Sequence, residues 1–172
     1  MTIAWVFPGQ GSQRLGMAES LLSLEGAKGR FEFASDLIGR DLLSICQKAG
    51  NDLADLNDTR NTQLAMFVVE SLLIDDLQRQ GRKASLLAGH SLGEIVALYA
   101  AGVFDDETAM RLLKRRSELM ASAGAGAMTA LIGFERKQLE ELVGATQGVV
   151  IANDNSSAQV VISGAPGRSE SG

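Results

Sequence analysis

The sequence predicts an α/β fold: a parallel β-sheet flanked by helices, followed by a smaller β-α-β-β unit. Two short apolar runs, at 3–7 and 86–88, each lead directly into a glycine-rich turn, as buried parallel strands do. Longer stretches with helical spacing of apolar residues lie between and after these runs. A Gly/Ala-rich segment at 121–127 then divides the chain, and strand patterns prevail beyond it.

Composition and charge exclude several classes of protein. The 172 residues are 45% hydrophobic and 22% charged, which is typical of a globular protein, and the net charge of −5 lacks the basic balance of a nucleic-acid-binding protein. Cys46 is the only cysteine and His90 the only histidine, so we expect no internal disulfide and no metal site built from cysteine and histidine side chains. No run reaches the ~18 apolar residues of a membrane span, and no signal peptide is recognisable, so we expect a cytoplasmic protein without a membrane partner.

The first element is a strand at 3–7 that runs into the loop 8–13. Because its apolar residues occupy both pleat faces, we expect the sheet to be covered on both sides. The loop then lies at the carboxyl edge of the sheet, where ligands bind in such folds. Its glycines allow close approach to a ligand, and the backbone N–H of Gln10 is a candidate hydrogen-bond donor to negative charge.

Residues 14–60 predict short helices, and residues 61–80 predict one long, buried helix. Glycines are interpreted as the breaks between the short helices: Gly26, Gly29, Gly39 and Gly50. Three aspartates are interpreted as caps and solvated groups rather than metal ligands: Asp52, Asp55 and Asp58. The long helix has apolar residues on most of its surface, so it should lie at the centre of the core.

Residues 86–98 are predicted to form a strand, a Gly-X-Ser-X-Gly turn and a helix, which is the pattern of a nucleophile elbow. Side chains at Gly89 and Gly93 would collide with the adjoining strand or helix, so only glycine fits there. Ser91 is then an exposed nucleophile at the tip of the turn. The following helix directs its positive end at this tip, and the N–H groups of Leu92 and Gln10 could form an oxyanion hole for acyl transfer.

The elbow helix should end near Ala101, and the next helix should span 106–123 after an N-cap at Asp105. Its apolar side is predicted to carry Met110, Leu112, Leu113, Leu119 and Met120. Its basic residues Arg111, Lys114 and Arg115 are interpreted as a solvated face. The direction of Arg116 cannot be decided from the periodicity.

Beyond the Gly/Ala-rich segment the chain alternates strands and one helix. We predict a strand at 128–133, a helix at 135–143, a strand at 149–152, a turn at 153–157 and a strand at 159–162. This β-α-β-β order is most of a ferredoxin-like unit, which also needs a further helix and strand. The predicted organisation is therefore a large subdomain at 1–123, an incomplete ferredoxin-like subdomain at 127–164, and a tail at 165–172.

Several ordered motifs resemble one enzyme family. They are VFPGQGSQ at 6–13, TQLAMF at 62–67, GHSLGEIVALYAAGVF at 89–104, the basic helix ending in Arg116, and IANDNSSAQVVISG at 151–164. Together these segments resemble malonyl-CoA:acyl carrier protein transacylases and the acyltransferases of polyketide synthases. The resemblance implies a hydrolase-like large subdomain and a ping-pong reaction in fatty acid or polyketide synthesis. Malonyl passes from coenzyme A to a serine, and then to the phosphopantetheine thiol of an acyl carrier protein.

The resemblance also implies roles for individual residues. Ser91 matches the nucleophile, and Gln10 and Leu92 match the oxyanion-hole amides. Arg116 matches the arginine that pairs bidentately with the malonyl carboxylate, for which its planar fork is suited. The resemblance further implies that two polar residues line the substrate pocket: His90 and Gln63.

The chain departs from the family in one respect that bears on activity. A serine needs a base to act as a nucleophile at neutral pH, and the family's base is a histidine downstream of the small subdomain. The only histidine in this sequence is His90, which precedes that subdomain. The polar residues 165–172 no longer resemble the family, so we interpret the chain as a truncated, frameshifted or split acyltransferase whose tail is disordered or non-native.

Two principal functions follow from this departure. One is a malonyltransferase completed by a C-terminal half on another chain. The other is a catalytically incomplete piece that binds acyl carrier protein or coenzyme A without turnover. A generic serine hydrolase is a third, less favoured reading, because the Gln10 loop and Arg116 select an anionic acyl donor.

Overall fold

The computed structural model describes residues 2–51, 54–123 and 126–165. The chain is α/β, and it divides into two compact units at the boundary between Ser122 and Ala123. The chain order of the first unit is β1 (Ala4–Phe7), a 3-10 turn (Glu19–Leu21), α1 (Ala27–Ile38), α2 (Leu42–Gln47), α3 (Thr59–Arg79), β2 (Leu86–Gly89), α4 (Leu92–Ala100) and α5 (Asp106–Ser122).

Helix α3 forms the centre of the first unit, as its apolar pattern predicts. Residues 61–68 are all buried, and α3 packs against α1, α2, α4 and α5. The helix starts two residues earlier than predicted because the Asp58 side chain accepts a hydrogen bond of 2.8 Å from the backbone N–H of Arg60. Asp55 accepts a similar bond from the backbone N–H of Asn57. Asp58 therefore caps α3 and Asp55 stabilises the turn before it, whereas Asp52 lies outside the described residues.

Strands β1 and β2 pair in parallel, with Ala4 opposite Leu86 and Phe7 opposite Gly89. The prediction that both faces of this sheet are covered is wrong for the described part of the chain. Phe7 belongs to the core, whereas Val6 on the opposite face is 72% exposed and Leu86 is 62% exposed. The helices of the first unit thus cover one face of the sheet and leave an apolar face in contact with solvent.

Two further predictions for the helices need correction. Gly29 does not break a helix but lies inside α1, which Gly26 and Gly39 flank with positive φ angles. On α5, Met110 and Leu113 are buried, but three residues of the predicted apolar side are about half exposed: Leu112, Leu119 and Met120. The apolar stripe of α5 is wider than the area that its neighbours in this unit cover. The predicted cap is present, because the Asp105 side chain accepts from the N–H of Thr108 at 2.8 Å.

Arg30 on α1 connects four helices of the first unit. Its guanidinium donates to the carboxylates of Asp106 on α5 and Asp75 on α3, both at 2.8 Å, and to the hydroxyl of Ser71 at 3.1 Å. The Tyr99 hydroxyl on α4 donates to the second oxygen of Asp75 at 2.6 Å. The Arg30 side chain is only 11% exposed, so this network lies mostly inside the unit.

The second unit consists of β3 (Ala127–Ile132), α6 (Arg136–Ala145), β4 (Val149–Ser156) and β5 (Gln159–Gly164). Its sheet has the order β3-β5-β4, with β5 antiparallel to both neighbours, which is a split β-α-β arrangement. Membership of the ferredoxin-like class stays a prediction. The predicted turn at 153–157 is wrong: β4 continues to Ser156, and irregular pairing with β5 accommodates its polar residues.

Candidate active site

The described structure contains the elbow that the Gly-X-Ser-X-Gly pattern predicts. β2 ends at Gly89, α4 begins at Leu92, and Ser91 lies between them with φ 56° and ψ −105°. It is the one non-glycine residue of the described chain with positive φ. Such a conformation is strained for a residue with a side chain, and it persists because the surrounding structure enforces it.

The two glycines of the elbow are required by close packing of the backbone. A Cβ on Gly89 would overlap the backbone of Gly93, and a Cβ on Gly93 would overlap the carbonyl group of Phe7 at the end of β1. A side chain would therefore collide with the backbone at both positions, as predicted from the sequence. The turn is also fixed by the backbone N–H of His90, which donates to the carbonyl of Phe7 at 3.1 Å.

The glycine-rich loop passes directly beside the elbow. Gly9 is buried, and a Cβ at this position would lie 2.6 Å from the carbonyl oxygen and 3.1 Å from Nδ1 of His90. Gln10 is the next residue, so its backbone lies near the turn that carries Ser91. The N–H of Leu92 is in the first turn of α4, where backbone amides have no acceptor within their own helix.

Arg116 points towards Ser91, a direction that the helical periodicity could not decide. Its Nη2 donates to Ser91 Oγ at 2.9 Å, and its Nη1 donates to Gln63 Oε1 at 2.6 Å. Within the described residues Arg116 forms no ion pair, whereas its neighbour Lys114 pairs with Glu118 and Arg111 pairs with Glu107. A half-buried guanidinium next to the serine is thus without a carboxylate partner in the described chain.

Gln63 is fully buried, and its amide group is held from both ends. Its Nε2 donates to Thr59 Oγ1 at 2.9 Å and approaches the sulfur of Met120 at 3.2 Å. The Thr59 hydroxyl in turn donates to Gln10 Oε1 at 2.9 Å. Thr59 and Met120 were not predicted as site residues, although each lies four residues from a predicted one on the same helix face.

His90 is exposed, and its Nδ1 lies beside Gly9 of the glycine-rich loop. Among the described residues, Ser91 Oγ receives its hydrogen bond from Arg116, and no imidazole or carboxylate bonds to it. The assignment of His90 to the lining of the site stays a prediction.

The described residues contain no group of three or more histidine, cysteine, aspartate or glutamate side chains placed to hold a metal ion. None of the helices in the described ranges is both long and apolar enough to cross a membrane.

Comparison with known proteins places this chain in a family. A malonyl CoA-acyl carrier protein transacylase of Synechocystis is 49% identical over 95% of this chain. The crystal structure of the Synechocystis transacylase superposes on 96% of this chain with a TM-score of 0.86 at 48% sequence identity. A malonyl-transacylase in complex with a type II polyketide synthase acyl-carrier protein superposes on 95% of this chain with a TM-score of 0.82 at 40% identity.

The match covers the chain more fully than it covers the relatives. The chain spans 55% of the length of the Synechocystis protein and 54% of the transacylase from the carrier-protein complex. The family model for the acyl transferase domain matches residues 4–170. The resemblance drawn from the motifs is confirmed, and this chain belongs to the acyl transferase domain family.

Proposed function

We propose that this chain binds malonyl-CoA and carries the nucleophile of a malonyl-CoA:acyl carrier protein transacylase. The observation that carries the proposal is the pair formed by Ser91 and Arg116. The guanidinium lies 2.9 Å from the serine oxygen and has no carboxylate partner among the described residues. A cation fixed beside a nucleophile favours an acyl group that ends in a carboxylate.

In the first step Ser91 Oγ attacks the thioester carbonyl of malonyl-CoA. A bond forms between Oγ and the carbonyl carbon, and the negative charge that develops on the carbonyl oxygen is stabilised by the N–H groups of Leu92 and Gln10. The bond between carbon and sulfur then breaks. Coenzyme A leaves as the thiol after it takes up the proton that Oγ has lost, and a malonyl ester of Ser91 remains.

In the second step the phosphopantetheine thiol of an acyl carrier protein attacks this ester. The serine oxygen leaves, regains a proton, and the malonyl group stays on the carrier as a thioester. The solved complex of a relative with its acyl-carrier protein supports a carrier protein as the acceptor. The reaction needs no cofactor besides the coenzyme A thioester that is its substrate, and we expect it to take place in the cytoplasm.

The substrate carboxylate is assigned to Arg116, with support from Gln63. The Gln63 oxygen accepts from one arm of the guanidinium and thereby fixes the plane of the fork. A carboxylate that replaces the contact with Ser91 can then accept two parallel N–H bonds. His90 is assigned to the wall of the site beside the glycine-rich loop.

A second candidate function is binding of the donor with little or no turnover. It is favoured by one observation: no described group accepts the proton of Ser91, whose oxygen contacts a guanidinium that is itself a donor. A general base typically contributes ~10²–10⁴-fold to the rate. We therefore expect this chain alone to form the malonyl ester slowly.

Both functions are tested by incubating the chain with malonyl-CoA and following its intact mass. We expect one malonyl group to be added to the wild type and to the control Ser156→Ala in the second unit, and none to Ser91→Ala. Arg116→Ala should slow malonyl addition by roughly tenfold or more and leave acetyl addition from acetyl-CoA much less affected. Labelling that survives Ser91→Ala would contradict the assigned nucleophile.

Two other results decide between the functions and test the role of Arg116. Binding of malonyl-CoA without any adduct would favour the second function. Equal losses of malonyl and acetyl addition in Arg116→Ala would show that the arginine supports the structure rather than the choice of donor.

A further inference from the structure

We propose that Thr59 is a positioning residue for the donor site, because it orients Gln63 towards Arg116 and ties the Gln10 loop to the same group. This inference rests on the proposed function, since it assigns Thr59 to the site that selects a malonyl donor.

The hydrogen bonds of this group form a series with a defined direction. Arg116 Nη1 donates to Gln63 Oε1 at 2.6 Å, and Gln63 Nε2 donates to Thr59 Oγ1 at 2.9 Å. The Thr59 hydroxyl, which has one proton, donates it in a hydrogen bond to Gln10 Oε1 at 2.9 Å. Each donor therefore meets an acceptor from Arg116 to Gln10.

Thr59 decides which end of the Gln63 amide faces the arginine. An amide can turn over and exchange its oxygen and nitrogen, and the turned form would present N–H groups to a guanidinium that can only donate. The Thr59 hydroxyl disfavours this form because its proton is already bonded to Gln10, so it offers an acceptor to Gln63. Met120 adds a thioether sulfur 3.2 Å from Nε2, which is a weaker acceptor.

The place of Thr59 in the fold makes this arrangement rigid. Thr59 is the first residue of α3, directly after the capping Asp58, and Gln63 is one turn further along the same helix face. The β-branched side chain of Thr59 has few χ1 rotamers, so its hydroxyl is held in one direction. The carboxylate-binding arginine and the loop of the oxyanion hole are consequently coupled through one hydroxyl.

The test compares Thr59→Val, which keeps the shape and removes the hydroxyl, with Thr59→Ser, which keeps the hydroxyl. Thr146→Val is the matched control: it removes a hydroxyl that bonds to the carbonyl of Leu142 in the second unit. The first readout is NMR of the arginine guanidinium groups in the full 172-residue chain without ligand, with the Arg116 signal assigned by its loss in Arg116→Lys. Circular dichroism confirms that each variant is folded.

We expect slow rotation of the Arg116 guanidinium in the wild type, Thr59→Ser and Thr146→Val, and faster rotation in Thr59→Val. Unchanged rotation in Thr59→Val would overturn the proposal. This readout needs no acylation, so it decides the role of Thr59 even if the wild type forms no malonyl ester and the proposed function fails.

The second readout is the ratio of malonyl to acetyl addition at Ser91, measured by intact mass. Thr59→Val should lower this ratio roughly tenfold, and Thr59→Ser should restore most of it. If Thr59 merely supported the fold, both donors would lose equally, and that outcome would also overturn the proposal.

Discussion

The geometry of Ser91 shows how far single residues can be predicted from this sequence. The strained elbow was predictable because two glycines at fixed spacing leave one conformation for the serine between them, and the structure has φ 56° there. The direction of Arg116 was not predictable, because a position at the edge of a helical stripe can face either way. Thr59 was missed because the helix was predicted to begin at residue 61, so Thr59 was not placed one helical turn before Gln63.

Glu70 is a residue whose burial has no counterpart in the sequence pattern. It lies on α3, is 9% exposed, and neither carboxyl oxygen has a hydrogen-bond partner. Burial away from water raises the pKa of this carboxyl from 4.5 to about 8. The group is therefore protonated in the folded state near neutral pH, whereas it is ionised in the unfolded chain.

This difference predicts a pH dependence of stability. Because the folded state holds a proton that the unfolded state loses above pH 4.5, the contribution of Glu70 to stability is greatest below pH 4.5 and falls as the pH rises to about 8. Glu70→Gln should remove this decline and stabilise the chain at pH 8 by a few kcal/mol, at about 1.4 kcal/mol per pKa unit. The free energy of unfolding in urea at several pH values measures it.

The control is Glu25→Gln, at a side chain that is 83% exposed. This variant should show the same dependence of the unfolding free energy on pH as the wild type. A parallel profile for Glu70→Gln and the wild type would show that the Glu70 carboxyl is already ionised, and therefore solvated, in the folded chain.

At the scale of helices and strands, the predictions succeeded where one local pattern decides the structure. Helix α3 has a cap and a continuous apolar sequence, and its existence and burial were both predicted. The turn between β4 and β5 was misplaced because Asn153 and Asp154 are typical turn residues, yet pairing with Val161 and Val160 keeps them in the strand. Tertiary pairing outweighed local preference at this point.

Because the Arg30 network joins four helices, we expect it to contribute to the stability of the first unit. Arg30→Met should destabilise the chain by about 2 kcal/mol or more, because it leaves two carboxylates, Asp75 and Asp106, without their shared cation. These carboxylates are 24% and 31% exposed, so solvent compensates part of the loss. Urea unfolding of the variant and the wild type measures the difference.

Arg79→Met is the matched control, because Arg79 also pairs with two carboxylates, Glu25 and Asp76, but more loosely and closer to solvent. Its loss should cost less than about 1 kcal/mol. Equal effects of the two substitutions would mean that the network contributes no more than an ordinary surface pair.

At the scale of the whole molecule, the sequence predicted the sheet but not which of its faces is covered. Apolar residues on both faces of β1 indicate burial on both sides, yet the helices described here cover one face. No local pattern records which segment packs on a given face, so the sequence could not have shown this. The Synechocystis transacylase is almost twice as long as this chain, which spans 55% of it.

The exposed sheet face predicts how the chain behaves in solution. Val6 and Leu86 lie on the same face of neighbouring strands and are 72% and 62% exposed, so they form a contiguous apolar surface. We expect the wild-type chain to self-associate through this surface, and Val6→Thr combined with Leu86→Thr to reduce the association, because threonine keeps the strand preference and lowers hydrophobicity. Sedimentation velocity over a range of concentrations measures it.

The control is Val150→Thr, which makes the same kind of change at a 58% exposed strand position of the second unit and should leave the association unchanged. An equal reduction by the control would point to general surface hydrophobicity, and no reduction by the double variant would show that the sheet face is not the contact.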